Sequence, residues 1–256
     1  MNWSKELRPF VRPVLGLLGM LALLLGIAGC GSVQRKLLYF PSHHTVTNGL
    51  AEWKAGDRVI GYARTVPRPK NAWLLVHGNA GQAADRAYAL PSFAADDSVY
   101  ILEYPGYGLR EGSPTLESFN TAAREAYEQV RATHPSIPVC VAGESIGSGP
   151  TCVLSGHPRP PDKIVLLMPF DNLAAVANDH YPFLPTSLLL RDNWDNIAAL
   201  KNYAGPLEIF AGARDGVIPI RHAQALAATK PRAVFHELPG GHNDWSRDGR
   251  VRIRNP

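Results

Sequence analysis

The chain has 256 residues, 45% of them hydrophobic and 19% charged, and its formal net charge is +4. This composition excludes a mostly disordered chain, and the length fits one large domain. Three cysteines are too few for a disulfide-stapled scaffold or for a zinc site of two CxxC pairs. The basic excess lies at the two ends of the chain and not on one element, so nucleic acid is not expected as a partner.

The N-terminal residues have the pattern of a secretory signal. Residues 1–12 are cationic, and the fifteen residues Val14–Ala28 are apolar. A helix of that length spans about 22 Å, which is short of a hydrocarbon core of about 30 Å. We therefore favour a cleaved signal peptide at residues 1–29, and an uncleaved membrane anchor is the alternative.

The apolar run ends in Ala28-Gly29-Cys30, which resembles the cleavage box of bacterial lipoproteins. The resemblance implies that the mature chain begins at Cys30 and that this cysteine is acylated, which anchors the protein to a membrane. Gly31 follows the cysteine, as in Gram-negative lipoproteins of the outer membrane. We expect a lipid-anchored protein of the bacterial cell envelope, on the outer membrane and facing the periplasm. Residues 30–45 are predicted to form a tether, and residues 46–256 the folded domain.

Short apolar strands alternate with helices through the predicted domain. Strands are predicted at Val59–Val66, Ala72–Val76, Val99–Leu102, Pro138–Ala142, Lys163–Met168, Leu207–Ala211 and Ala233–Leu238, and helices at Ala83–Phe93, Leu116–His134, Ile146–Leu154 and Ile220–Ala228. This alternation predicts an α/β fold, with a mostly parallel central sheet and helices on both faces. The rhythm stops at about residues 170–204, which we interpret as a small cap insertion over one end of the sheet.

A candidate nucleophile lies between a predicted strand and a predicted helix. Residues 143–147 read GESIG, which matches the G-x-S-x-G pattern and predicts Ser145 as the nucleophile. The backbone N–H of Ile146 then faces the oxyanion that develops during acyl transfer. A glycine-rich turn, HGNAG at residues 77–81, follows the strand Ala72–Val76, and we assign the second oxyanion donor to the N–H of Asn79.

Two further polar residues follow predicted strands near the end of the chain. Asp215 comes just after Leu207–Ala211, where a carboxylate can hold an imidazole in one tautomer. His242 comes just after the last strand, where it can act as general base and then as general acid. Taken singly, an aspartate in an Asp-Gly turn or one of nine histidines is as well explained by a structural role. The order Ser145, Asp215, His242 is the order found in α/β-hydrolases.

The ordered motifs LLYFP, LVHGNAG, EYPGYG, GESIGSG, GARDGVIP and GGHND, across residues 35–245, resemble the α/β-hydrolase superfamily. Within it they resemble the BEM46-like and ABHD17/ABHD13-like serine hydrolases. The resemblance implies Ser145 as nucleophile, Asp215 as acid and His242 as base. We expect an esterase or thioesterase that acts through an acyl-enzyme on a small acyl ester, a thioester or a lipid-like substrate. This mechanism requires no metal and no organic cofactor, and none is predicted.

Other interpretations stay open at this point. A peptidase of the same fold, similar to the S9 and S33 groups, would need an acidic group to read a peptide amine, and Glu144 or Glu103 could serve. A non-catalytic lipoprotein could use the pocket to bind lipid or a partner. Cys140 and Cys152 are either buried thiols or a bridge. Residues 246–256 depart from the family pattern, and their arginines are predicted to form a solvated tail.

Overall fold

The computed structural model describes residue 26, residues 31–247 and residues 249–255. The predictions for the signal peptide, its cleavage and the acylation of Cys30 therefore fall outside the described residues. The elements in chain order are α1 (Gly31–Leu38), β1 (Phe40–Pro41), β2 (Ala51–Ala55), β3 (Arg58–Arg64), β4 (Ala72–Val76), β5 (Ala80–Gly81), a 3₁₀ helix (Ala83–Ser92), β6 (Ser98–Leu102), α2 (Leu116–Thr133), β7 (Val139–Glu144), a 3₁₀ turn (Ser145–Gly147), α3 (Ser148–Val153), a 3₁₀ turn (Leu154–Gly156), β8 (Ile164–Leu167), α4 (Leu173–His180), α5 (Thr186–Leu189), α6 (Asn196–Leu200), β9 (Leu207–Gly212), α7 (Ile220–Ala228) and β10 (Val234–Leu238).

The central sheet of the described chain contains eight strands in the order β10-β9-β8-β7-β4-β6-β3-β2. Neighbours from β10 to β6 run parallel, and β3 pairs antiparallel with both β6 and β2. The expected α/β fold with a mostly parallel sheet is thereby confirmed. The register pairs Val76 with Gly143, so β4 and β7 end side by side. This register brings the turn after β4 next to Ser145.

Both faces of the sheet are covered, as the unbroken apolar strand β4 requires. Side chains of alternate residues of β4 pack in two different hydrophobic clusters. Leu74 packs in one core with Phe119 of α2, whereas Trp73 packs in another with Phe93. Helix α2 begins at an N-cap where the Thr115 side chain accepts a hydrogen bond from the N–H of Ser118.

Some elements differ from those predicted. Strand β2 was not expected because its residues are largely exposed and only Trp53 is buried, so its apolar signal is weak. Residues 83–92 form a 3₁₀ helix, with Pro91 inside it, where an ordinary helix was predicted. The helix predicted from Ile146 starts instead as a 3₁₀ turn that leads into α3.

The segment predicted as a tether is folded, which corrects that prediction for residues 31–41. Its helix α1 lies against the segment 170–204, where the Arg35 guanidinium pairs with Asp192 at 3.0 Å. Tyr39 is buried and its hydroxyl donates to the same carboxylate at 3.1 Å. The sequence interpretation missed this because Arg35 and Asp192 are 157 residues apart.

The C-terminal residues also differ from the predicted solvated tail. Trp245, Val251 and Ile253 are buried in the core beneath the 3₁₀ helix. The N–H of Ile253 donates to the carbonyl of Ser92 at 2.8 Å, and the Arg254 guanidinium donates to the same carbonyl at 2.7 Å. The described residues of this segment cover one face of the sheet, and they do so without forming a helix.

Among the residues that the structure describes, no helix is both long enough and apolar enough to cross a membrane.

Candidate active site

The predicted nucleophile lies on a strained turn between β7 and α3. Ser145 has φ = 53°, in the left-handed region that non-glycine residues rarely adopt. The two flanking glycines permit this turn. A Cβ at Gly147 would lie 2.1 Å from the carbonyl oxygen of Val76, and a Cβ at Gly143 would lie 2.5 Å from the Thr151 hydroxyl. The motif glycines are therefore required by close packing at this turn.

Ser145, His242 and Asp215 form one hydrogen-bonded row. The Oγ of Ser145 lies 2.9 Å from Nε2 of His242, and Nδ1 of His242 lies 2.7 Å from Oδ2 of Asp215. These distances fit a tautomer in which Nδ1–H donates to the carboxylate and Nε2 accepts the serine hydroxyl. The Asp215 side chain is 1% exposed and that of His242 is 12% exposed. The arrangement can deliver a proton from Ser145 to His242.

The carboxylate of Asp215 is fixed by its own loop. Its Oδ1 accepts the N–H groups of Val217 and Ile218, both at 2.8 Å, which leaves Oδ2 for His242. The loop follows β9, the turn that carries His242 follows β10, and Ser145 follows β7. These strands are parallel, so their carboxyl ends meet at one edge of the sheet.

The two residues predicted to donate to the oxyanion, Asn79 and Ile146, lie on the wall of the cavity that contains Ser145. The side chain of Asn79 is engaged elsewhere: its amide donates to the carbonyl of Leu38, and its Oδ1 accepts the hydroxyl of Tyr107 at 3.0 Å. Tyr107 is fully buried, so it supports this turn from within the fold. These two contacts of the Asn79 side chain fix the turn, and the Asn79 backbone stays at the wall of the cavity.

A buried ion pair beside this turn was missed at the sequence level. Arg86 lies 3.2 Å from Glu144, measured from Nε to Oε2. The Glu144 carboxylate also accepts the Gly78 N–H at 2.9 Å, the Tyr88 hydroxyl at 2.9 Å and the Trp245 indole N–H at 3.1 Å. Burial raises the pKa of Glu144. Arg86 and these three donors together lower it by more than burial raises it, so the pKa lies below the ordinary value. The only signal in the sequence for this buried pair is that Glu144 directly precedes Ser145.

The cavity at this edge of the sheet has a volume of about 570 Å³. Its floor holds Ser145 and His242. Apolar side chains from the N-terminal segment, the segment 170–204 and the loops after the strands form its wall: Leu37, Leu38, Phe40, Ile146, Phe170, Leu173, Val176, Ala177, Tyr181, Leu190, Val217 and Ile218. Such a space suits an apolar substrate group next to a reactive centre.

The remaining candidate groups have structural surroundings. Cys140 and Cys152 are free and buried, which settles their pairing in favour of thiols. Glu103 is 1% exposed and accepts the N–H of Ala83 at 3.1 Å. Within the described ranges, no group of three or more His, Cys, Asp or Glu side chains is placed to hold a metal ion.

Comparison with known proteins supports this fold. No family model matches the chain. The chain is 33% identical over 241 residues to an uncharacterized protein of Mycobacterium tuberculosis, with 87% of this chain and 85% of the relative covered. It is 30% identical over 204 residues to human protein ABHD12B, with 72% and 56% covered. It is 26% identical over 206 residues to the lysophosphatidylserine lipase ABHD12 of Xenopus tropicalis, with 72% and 53% covered. The chain thus spans little more than half of each ABHD relative.

Solved structures agree on the architecture. The Pyrococcus furiosus esterase Pf2001 superposes with a TM-score of 0.61 at 14% identity, over 80% of this chain and 89% of that one. The thioesterase domain from the curacin biosynthetic pathway superposes with a TM-score of 0.58 at 15% identity, over 78% and 93%. At these identities the likeness concerns the fold. The fold is that of the α/β-hydrolases, and sequence relatives named for an alpha/beta hydrolase domain support placement in that superfamily.

Proposed function

We propose that the chain is a serine hydrolase that cleaves a carboxylic ester or thioester through an acyl-enzyme. The observation that carries this proposal is the row Ser145–His242–Asp215, with hydrogen-bond distances of 2.9 and 2.7 Å, at the floor of an apolar cavity. Nucleophile, base and orienting carboxylate are the groups that acyl transfer requires in this geometry.

In the first half-reaction, His242 takes the hydroxyl proton of Ser145 while Oγ attacks the carbonyl carbon. The N–H groups of Asn79 and Ile146 donate to the negative oxygen of the tetrahedral intermediate. His242 then gives its proton to the leaving alcohol or thiol, and the acyl group stays on Ser145. In the second half-reaction, His242 takes a proton from water, and the resulting hydroxide attacks the acyl carbon. The proton returns to Ser145 as the carboxylic acid leaves.

The shape of the site supports an acyl substrate. The wall of the cavity is mostly apolar, and Phe170, Leu173 and Val176 line it above Ser145 and His242. A lipase and a thioesterase are among the proteins that this chain is similar to, and both names denote cleavage of acyl groups. We propose that the cavity holds the acyl chain of a small ester, a thioester or a lipid-like substrate.

A peptidase activity has less support. The two carboxylates that could read a peptide amine are already engaged, since Glu144 pairs with Arg86 and Glu103 accepts the N–H of Ala83. Neither is therefore available to bind a cationic amine without breaking a buried interaction. An ester panel compared with an aminoacyl-amide panel separates the two activities.

Labelling of the full-length chain by a fluorophosphonate probe tests the proposal. We expect labelling of the parent and of Ser113→Ala, which changes an exposed serine, and none of Ser145→Ala. A series of acyl esters and thioesters of increasing chain length then defines the leaving group and the acyl preference. A folded parent that does not react with the probe would overturn the proposal and favour a non-catalytic lipid-binding role.

We also propose that Cys30 carries lipid and anchors the chain in the bacterial cell envelope, on the outer membrane and facing the periplasm. The support is the apolar run that ends at Ala28, two residues before the cysteine. Metabolic labelling with an alkyne fatty acid should modify the parent and not Cys30→Ser, in which Cys140 and Cys152 remain as internal controls. Equal labelling of both chains, or recovery of the parent in the soluble fraction, would contradict it.

A further inference from the structure

Large apolar side chains are exposed on two segments that contribute lining residues to the cavity. In the N-terminal segment, Leu37 is 73% and Phe40 is 55% exposed. In the cap segment, Tyr181 is 61%, Phe183 is 97% and Leu188 is 85% exposed. These five residues are called the rim here. Leu37, Phe40 and Tyr181 also line the cavity. A cluster of this kind on a folded surface indicates an interaction site.

The two segments that carry the rim are joined by direct contacts. The Gln34 amide donates to the carbonyl of Leu189 at 2.5 Å, and its Oε1 accepts the N–H of Arg191 at 3.1 Å. One helical turn separates Gln34 from Leu37, and Leu188 immediately precedes Leu189. The rim is therefore one surface built from the N-terminal segment and the segment 170–204, not two separate loops.

The position of the N-terminal segment indicates what covers this surface. Helix α1 begins at Gly31, directly after Cys30 and the apolar run Val14–Ala28. Whether that run is cleaved ahead of an acylated cysteine or retained as an anchor, the attachment to the membrane adjoins α1. A helix of eight residues is about 12 Å long, so Leu37 of the rim lies within that reach of the attachment point.

The charges on both segments fit the same occupant. Residues 31–44 and residues 180–191 contain no aspartate or glutamate, and they carry Arg35, Lys36 and Arg191. The two bordering carboxylates are paired, since Asp192 binds Arg35 and Asp179 binds Arg221, so Lys36 and Arg191 supply the net positive charge. Apolar side chains with flanking basic residues are typical of surfaces that lie in the interface of an anionic bilayer.

We propose that the rim inserts into the bilayer that holds the N-terminus, so that the mouth of the cavity opens onto lipid. Docking itself does not require catalysis. The consequence that the substrate enters from the lipid phase rests on the proposed function. The substrate class that follows is a membrane-resident acyl lipid, because such a molecule can move its acyl chain from the bilayer into an apolar cavity without crossing water.

The test uses the full-length chain in vesicles of phosphatidylethanolamine and phosphatidylglycerol. A polarity-sensitive fluorophore is attached to Phe183→Cys, to Leu188→Cys or, as a matched control, to Val234→Cys on β10, where the parent residue is 53% exposed. The parent retains Cys30 together with the buried thiols Cys140 and Cys152, so its own labelling gives the background that is subtracted. We expect a nitroxide-labelled lipid to reduce emission by about twofold or more at positions 183 and 188, with little change at 234.

Two other results would overturn the proposal. Quenching of all three positions by aqueous iodide, with none by the lipid nitroxide, would show that the rim faces water. Protection of 183 and 188 from both quenchers would show that protein covers the rim, either a second copy or the segment Val14–Ala28. Thermal unfolding midpoints confirm that each variant is folded. Because quenching does not depend on turnover, loss of esterase activity with intact quenching would count against the proposed function alone.

Discussion

Arg86 and Glu144 form a buried ion pair, 3.2 Å from Nε to Oε2, beside the turn that carries Asn79. The Arg86 guanidinium donates to the carbonyls of Gly78 and Ala80, and the Glu144 carboxylate accepts the N–H of Gly78. The pair thereby fixes the backbone of Gly78 and Ala80, the two residues that flank Asn79, and the Gly78 C=O belongs to the same peptide group as the Asn79 N–H. A charged pair that is costly to bury thus holds in place a backbone segment that the proposed mechanism uses.

The first prediction concerns the stability of this pair. Arg86→Met leaves Glu144 buried and without its cation, which should lower the free energy of unfolding by about 3–5 kcal/mol. The double variant Arg86→Met/Glu144→Gln should lose less than the single variant, because no isolated charge remains. Denaturant unfolding of the parent, both single variants and the double variant gives the coupling free energy. Additive losses would contradict a coupled pair.

The second prediction concerns the role of the pair in turnover. In the double variant, the Asn79 N–H is held less rigidly, so kcat for a short ester should fall by about tenfold or more. KM should change much less, since the apolar side chains that line the cavity are unaltered and only the polar lining residues Arg86 and Glu144 are replaced. Steady-state kinetics provide both constants. A rise in KM at unchanged kcat would assign Arg86 and Glu144 to substrate binding and not to positioning of the turn.

The third prediction follows from the lowered pKa of Glu144. The folded-state pKa lies below the unfolded value, which is about 4.3, so the carboxylate contributes stability above that pH. This contribution is lost as the pH falls through the folded-state pKa. The free energy of unfolding should therefore fall more steeply with acid in the parent than in Arg86→Met/Glu144→Gln. Equal slopes below about pH 4.5 would contradict the assignment.

An exposed carboxylate provides the control for that titration. Lys70 pairs with Asp96 at the surface and lowers its pKa. High salt should abolish the effect of Asp96→Asn on the acid titration, because exposed charges are screened, and should leave most of the effect at Glu144.

The fourth prediction concerns the turn that carries Ser145. In Gly147→Ala, the new methyl group would lie 2.1 Å from the carbonyl oxygen of Val76 and 2.6 Å from that of His77. Both are backbone atoms, so relief requires β4 to move, and we expect a loss of about 1–3 kcal/mol or more. Gly156→Ala is the matched control, since a Cβ there meets no atom within 4 Å. Thermal unfolding distinguishes them, and equal midpoints would argue against a tight turn.

The fifth prediction concerns the buried thiols. Burial raises the pKa of Cys140 to about 12 and also raises the pKa of the Cys152 thiol. Neither should react with a disulfide reagent at pH 8 in the native chain, and both should react after unfolding in guanidinium. Leu188→Cys supplies an exposed thiol as the positive control. Rapid reaction of native Cys152 would show that the core opens locally.

The site could be predicted from local signals because each residue follows an apolar strand. Strand β4 is an unbroken apolar run, and glycine-rich turns mark the ends of β4 and β7, so Asn79 and Ser145 could be assigned to one edge of the sheet. Their grouping with Asp215 and His242 into a proposed acyl-transfer site rested on chain order and on the family resemblance. Neither inference needed knowledge of contacts between distant segments.

The rest of the site depends on such contacts. Arg86 and Glu144 are 58 residues apart, and neither has a pattern that names its partner. Tyr39 meets Asp192 across 153 residues, so the packing of α1 on the cap could not be deduced from a polar, short N-terminal stretch. The C-terminal arginines favoured a solvent-exposed tail. Ile253, which lies between Arg252 and Arg254, is buried instead and holds this segment against the core.

Because α1 starts at Gly31, only residues of this helix, and no flexible linker, separate residue 30 from Leu37 on the wall of the cavity. Under the proposed anchoring, a lipid group at residue 30 would hold the cavity at a short, fixed distance from the bilayer. The rate of encounter with a lipid substrate would then depend on its density in the membrane and not on its bulk concentration. Encounter with substrate then becomes a search in two dimensions. Dilution of the vesicles at constant lipid composition would leave turnover unchanged, whereas dilution of the substrate among other lipids would slow it.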